Sequence, residues 1–183
     1  SNLKNKKNLD NHLIESLNPL GVPKSLKNTS HPFNYGDFKT LERLIKNKNI
    51  GVIKMEVCRN TKPNISFLRK VRNIATKKNI VLIFDECTSG FRETFGGIQK
   101  KIDIDPDILI LGKALGNGYP ITAVIGKEEV MKYAKKTFIS STFWTDRVGP
   151  AAAIKTLEIM EKDKSWEKIT KLGKYLNSEW LII

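Results

Sequence analysis

Four short runs of this chain are apolar almost throughout: IGVIKMEV at 50–57, IVLIF at 80–84, DILIL at 107–111 and ITAVIG at 121–126. A strand with one wet face alternates apolar and polar residues, whereas a strand buried on both faces does not. These runs are of the second kind. Between the first two, Asn64 is placed to cap a helix whose Ile65, Leu68, Val71 and Ala75 form one apolar stripe. Strand, amphipathic helix, strand is the pattern of an α/β fold: a mostly parallel sheet with helices on both faces. In such sheets, ligands bind where the strands end at their carboxyl edge.

The rest of the chain can be read around that sheet. Residues 1–36 are rich in turn formers, with Pro19, Pro23 and Pro32, and predict an irregular segment. Asp37 suits the N-cap of a short helix, FKTLERLIKN. A helix is expected around 128–135, and the run TFISSTF predicts a strand or extended stretch. Pro150 fits the first turn of a helix reaching about Lys162, and the tail from Ser165 reads as helical.

Composition narrows the function classes. The 183 residues are 40% hydrophobic and 28% charged, ordinary for a globular chain with a real core. No apolar run approaches the roughly 18 residues that span a bilayer, and SNLKNKKNLDNHL shows no secretory signal. The two cysteines, Cys58 and Cys87, and two histidines, His12 and His31, make no closely spaced metal-ligand pair. They are also too few for a disulfide scaffold, so the cytoplasm is the expected compartment. The net charge is +13, but the excess is lysine spread from Lys4 to Lys174. With six arginines and no basic cluster among aromatics, a solvated lysine surface is expected rather than a nucleic-acid face.

The chemistry concentrates in VLIFDECTSGFRETFGG, where a buried strand ends in Asp85 and Glu86, and in GKALGNGYP after the next strand. Three readings compete. A strand ending in Asp-Glu resembles the magnesium-holding strand of nucleotide hydrolases, but GxxxxGK[ST] is missing: Gly112-Lys113 is followed by Ala114. A purely structural reading makes Asp85 a turn cap and Lys113 a surface lysine. The third reading is a pyridoxal 5'-phosphate (PLP) site. PLP chemistry needs a lysine for a Schiff base and a carboxylate facing the pyridine nitrogen, both presented from neighbouring strand ends. Asp85 and Lys113 meet that requirement.

The ordered motifs IFDECTSGFRETFGG, DIDPDILILGKALGNGYPITAVIG and SSTFWTDRVGPAAAIKTLEIME resemble the core of a class III aminotransferase over about residues 36–175. Within that class, GFR after the acidic strand end is closer to glutamate-1-semialdehyde aminomutases than to the GFGRTG of other members. The resemblance implies the large domain of the aspartate-aminotransferase fold type. It makes Lys113 the Schiff-base lysine and Asp85 the partner of the pyridinium nitrogen. Cys87 takes the place of an apolar residue packing on the ring. Thr142 aligns with a threonine that reaches across a homodimer to the other subunit's cofactor phosphate, with Ser140 and Ser141 as weaker candidates. Gly116, Asn117 and Gly118 shape the turn beside the lysine. A structural role is expected for Glu56, and Arg92 is left between substrate contact and loop support.

Two departures bear on substrate. EVCRNTKPN stands where the family has EP…G, and WTDRVGP stands where its threonine segment continues GNP. The chain is also less than half the length of a typical member, which predicts an internal fragment. Residues 1–36 form an irregular part of the large domain, 37–163 its PLP-binding core, and 164–183 the start of a helix leading to a C-terminal small domain. The implied reaction moves an amino group from a small-molecule donor to a carbonyl acceptor, without nucleic acid or membrane. An intramolecular aminomutase and an inactive truncated PLP-fold domain remain as alternatives.

Overall fold

The computed structural model describes residues 21, 23–26, 28–58, 62–143 and 145–180. Residues 1–20 of the expected irregular segment, Arg59 to Thr61 of EVCRNTKPN, Trp144 of the WTDRVGP stretch and the last three residues lie outside that set. The chain divides into two compact units, Ser1–Ile50 and Gly51–Ile183. In the first unit, helix α1 (Phe38–Asn47) begins where Asp37 accepts a hydrogen bond from the Thr40 N–H at 3.0 Å.

The second unit is built on a four-stranded sheet of β1 (Val52–Glu56), β2 (Val81–Glu86), β3 (Ile108–Leu111) and β4 (Ala123–Gly126), side by side in that order. The first three strands are parallel, and β4 returns antiparallel to β3. Helix α2 (Ile65–Lys77) joins β1 to β2. Its first turn is capped as expected, the Asn64 side chain accepting from the Phe67 N–H at 3.1 Å. The apolar stripe runs through Phe67, Leu68, Val71 and Ala75. Ile65 is not part of it: it opens the helix at 43% exposure, and Phe67 takes the buried place instead.

The two sheet faces are not equally covered. One carries Ile53, Met55, Leu82, Phe84, Leu109 and Leu111, all buried, and meets α2 across β2. Burial of each such side chain contributes roughly 1.5–3 kcal/mol. The other carries Val81, Ile83, Asp85, Ile108 and Ile110, each half-buried.

Beyond the sheet, the helix expected at 128–135 is one α-turn, Glu128–Met131, followed by a 3-10 stretch, Lys132–Lys136. TFISSTF forms no strand. Phe138 and Phe143 are 95% and 75% exposed there, and β-propensity without a neighbouring strand supplies no hydrogen-bond ladder. Helices α3 (Val148–Asp163) and α4 (Ser165–Trp180) follow. No described helix is long and apolar enough to cross a membrane.

At the amino edge of the sheet, Asp107 ties three elements together. Its Oδ2 accepts from the Leu82 N–H at 2.8 Å and from Arg72 of α2 at 2.9 Å, and its Oδ1 accepts from Lys127 after β4 at 3.0 Å. This leaves the opposite, carboxyl edge to the chemistry-bearing residues.

Candidate active site

Strand β2 continues two residues past its apolar run, so Asp85 and Glu86 are its last two residues and point to opposite faces. Glu86 turns inward and is fully buried. It accepts from the Ser89 hydroxyl at 3.0 Å and from the N–H groups of Ile98 and Gln99 at 2.6 and 3.2 Å. With its side-chain nitrogen turned inward, Gln99 donates a further bond at 3.2 Å. Burial pushes the Glu86 carboxyl above the usual value, although these bonds pull the other way. Loop 87–98 is therefore wrapped around one carboxylate. A Cβ on Gly97 would stand 2.6 Å from Glu86 Oε1, so a larger residue would push this hydrogen-bonded carboxylate aside.

Asp85 faces the half-open side. Its Oδ2 lies 2.9 Å from the Nζ of Lys54 on β1, and its Oδ1 accepts from the Cys87 N–H at 3.2 Å. Partial burial raises its pKa, but the hydrogen bonds from Lys54 and Cys87, together with the Lys54 charge, hold the carboxyl below the usual aspartate value. An ionised carboxylate is thus presented at the edge of β2.

Lys113 leaves the end of β3 after Gly112 and opens a 3-10 turn, Lys113–Leu115. Its φ of +43° is left-handed, an uncommon state for a residue with a side chain. The exposed ε-amine donates to Thr88 Oγ1 at 2.8 Å. Cys87 feels the charge of both functional groups, Asp85 and Lys113. Its thiol is pushed up by burial first and by Asp85 next. The sulfur is packed close to the backbone of Gly112, where a Cβ would meet it at 3.1 Å.

The turn after the lysine is closed as GNGYP predicts. A Cβ on Gly116 would collide with the Tyr119 carbonyl, and Asn117 and Gly118 take φ of +45° and +107°. The Tyr119 hydroxyl donates to Asp146 at 3.1 Å, and Asp146 accepts from the Val148 N–H at 2.9 Å. The turn is thereby tied to the start of α3.

Residues 58–181 match the class-III aminotransferase family. The chain belongs to the class-III aminotransferases. It is 37% identical over 168 residues to the 3-aminobutyryl-CoA aminotransferase of Cloacimonas acidaminovorans, covering 87% of this chain and 41% of that protein. It is 38% identical over 154 residues to the glutamate-1-semialdehyde 2,1-aminomutase of Sulfolobus acidocaldarius, covering 80% of this chain and 37% of the other. The chain thus spans about two fifths of the length of these curated relatives. In structure it is similar to the acetylornithine aminotransferase of Elizabethkingia anophelis, with a TM-score of 0.72 at 32% identity over 80% of this chain and 39% of that one. It is also similar to the FumI protein of Sphingopyxis sp. MTA144, solved as its PLP internal aldimine, with a TM-score of 0.67 at 28% identity over 70% of this chain and 33% of that one.

Against the family's motifs, the structure brings Asp85, Cys87 and Lys113 to one edge. It does not join Thr142 to them: Thr142 is exposed in a turn, and among the described residues no hydrogen bond links it to Asp85 or Lys113. Ser140 and Ser141 are exposed just before it. Arg92 lies in loop 87–98, its Nε donating to the Thr88 carbonyl at 3.4 Å and its own carbonyl accepting from Thr170 of α4 at 3.4 Å. Both contacts support the loop. Glu56 pairs in register with Asp85 across β1 and β2.

Three residues at this edge were not singled out as partners by sequence reasoning. Glu86 could have been found, because a buried strand ending in a second acid and followed by GG needs donors folded back onto it. Thr88 and Lys54 carry no such signal, since their contacts depend on which strands are neighbours.

Proposed function

We propose that this chain carries the catalytic lysine and ring-facing carboxylate of a PLP-dependent aminotransferase. The observation that supports the reading is the presence of an exposed amine and an ionised carboxylate at the carboxyl ends of adjacent parallel strands, with Cys87 near enough to feel the charge of both. These residues fit the two reactive ends of the cofactor ring. Lys113 is the amine that attaches PLP and moves the substrate proton, Asp85 keeps the ring nitrogen protonated, and Cys87 packs against the ring as a small apolar group. Thr142 is assigned to the phosphate, reached across a homodimer. PLP bound here supplies an electron sink that lets an amino group leave a small-molecule donor and join a carbonyl acceptor. Nucleic acid and membrane play no part in this function. The chain's two cysteines, Cys58 and Cys87, are too few for a disulfide scaffold, which suits a cytoplasmic protein.

The test is to add PLP to the purified chain, reduce with borohydride and map the labelled peptide. Label on Lys113, lost in Lys113→Ala, is the expected result. Label scattered over surface lysines would refute it. Once the site is established, turnover separates the two reaction types: an aminotransferase needs donor and acceptor together, whereas an aminomutase converts one compound alone.

A further inference from the structure

Lys54 occupies Asp85 in a way that neither the motifs nor the proposed reaction uses. We propose that Lys54 competes with the cofactor's ring nitrogen for Asp85, so that cofactor binding is coupled to release of this ion pair. The inference rests on the reading of Asp85 given above.

The geometry comes from the strand register. Lys54 pairs with Ile83 and Glu56 with Asp85, so Lys54 stands one step behind the carboxylate on the same sheet face. From there its stem reaches forward to place Nζ 2.9 Å from Oδ2. The Cys87 N–H holds Oδ1, so both carboxylate oxygens have donors. A carboxylate has lone pairs for a further donor, but a second positive N–H close to the Lys54 ammonium is repelled by it. The groups around Asp85 are Lys54 and, by register, Glu56 from β1, and Cys87 just past β2, whose thiol in turn feels the Lys113 charge.

The two partners differ in what separation costs them. Asp85 is 21% exposed and Lys54 57%. An unpaired Asp85 would be a half-buried charge, whereas Lys54 can swing its head into water on a flexible stem. Lys54 therefore serves the cofactor-free chain as a displaceable counter-ion. By linkage, whatever factor Lys54 takes from cofactor affinity, the cofactor takes from the Lys54–Asp85 pair.

The experiment compares the 183-residue chain with Lys54→Met, Lys54→Gln and Lys54→Arg. One readout is the PLP concentration that half-saturates borohydride-trapped label on Lys113. The other is the pH titration of the Asp85 carboxyl, followed by carbon NMR without cofactor. Met and Gln should tighten PLP about two- to fivefold, the range of a partly exposed ion pair, and move the Asp85 midpoint upward. Arg should resemble the parent chain. In an Asp85→Asn background, Lys54→Met should bring no tightening, which separates competition for Asp85 from a general effect of lysine charge on an anionic ligand. Unchanged or weaker PLP affinity in Lys54→Met, with Lys113 still labelled, overturns this inference alone. No label on Lys113 in the parent chain overturns the functional reading and this inference with it.

Discussion

Lys113 Nζ donates to Thr88 Oγ1 at 2.8 Å, across 25 positions of chain and between two neighbouring strand ends. The hydroxyl gives a flexible amine a preferred resting place. Thr88→Val keeps the side chain's shape and removes that acceptor. It should slow PLP labelling of Lys113 by about two- to fivefold, the worth of one exposed hydrogen bond. Thr88→Ser should restore most of the rate. A Val variant labelled as fast as the parent would show that the bond does not position the amine.

Glu86 organises loop 87–98 by accepting where an amide would have to donate. Glu86→Gln replaces one of the two accepting oxygens with an NH2 group, set either against the Ser89 and Ile98 donors at Oε2 or against the Gln99 N–H at Oε1. Leaving buried donors unpaired costs about 2–3 kcal/mol, visible as a lower midpoint in urea unfolding. A change below about 0.5 kcal/mol, the size of an ordinary surface substitution, would mean that the loop does not depend on this carboxylate.

Asp107 should make the fold acid-sensitive. Burial raises its pKa, but the Leu82 N–H, Lys127 and Arg72 together hold it below the ordinary aspartate value of 3.8. The unfolded chain then binds more protons than the folded one, so stability rises with pH through this window. The contribution is fully present above 3.8 and is lost as pH falls through the lower folded value. Glu86 acts in the opposite sense, because burial raises its pKa and the folded form keeps its proton to higher pH. Comparing Asp107→Asn with the parent chain from pH 6 downward, by thermal melting, isolates the first effect. The two curves should converge in acid; parallel curves would refute the assignment.

The sheet was legible in the sequence because each of its four strands is a run of apolar residues bounded by polar caps, and Asp37 and Asn64 cap their helices as their side chains dictate. Lys113 and Asp85 were legible because amine, carboxylate and glycine-rich turn sit at recognisable strand ends. Local pattern failed where partners decide. TFISSTF has strand composition but pairs with no strand among the described residues. Ile65 has the right spacing for the apolar stripe, yet the ring of Phe67 takes the buried place. Lys54 looks like a surface lysine until the register sets it behind Asp85.

The reversal of β4 has a mechanical consequence. Because Leu111 and Ala123 are paired, the segment that carries Lys113 starts and finishes at one rung of the ladder. It is a hoop pinned at its neck rather than a strap stretched between distant points. Cutting the hoop at Asn117 or Gly118 would leave both stubs seated in the sheet, so the reactive amine would stay moored to its strand after the backbone around it had been severed.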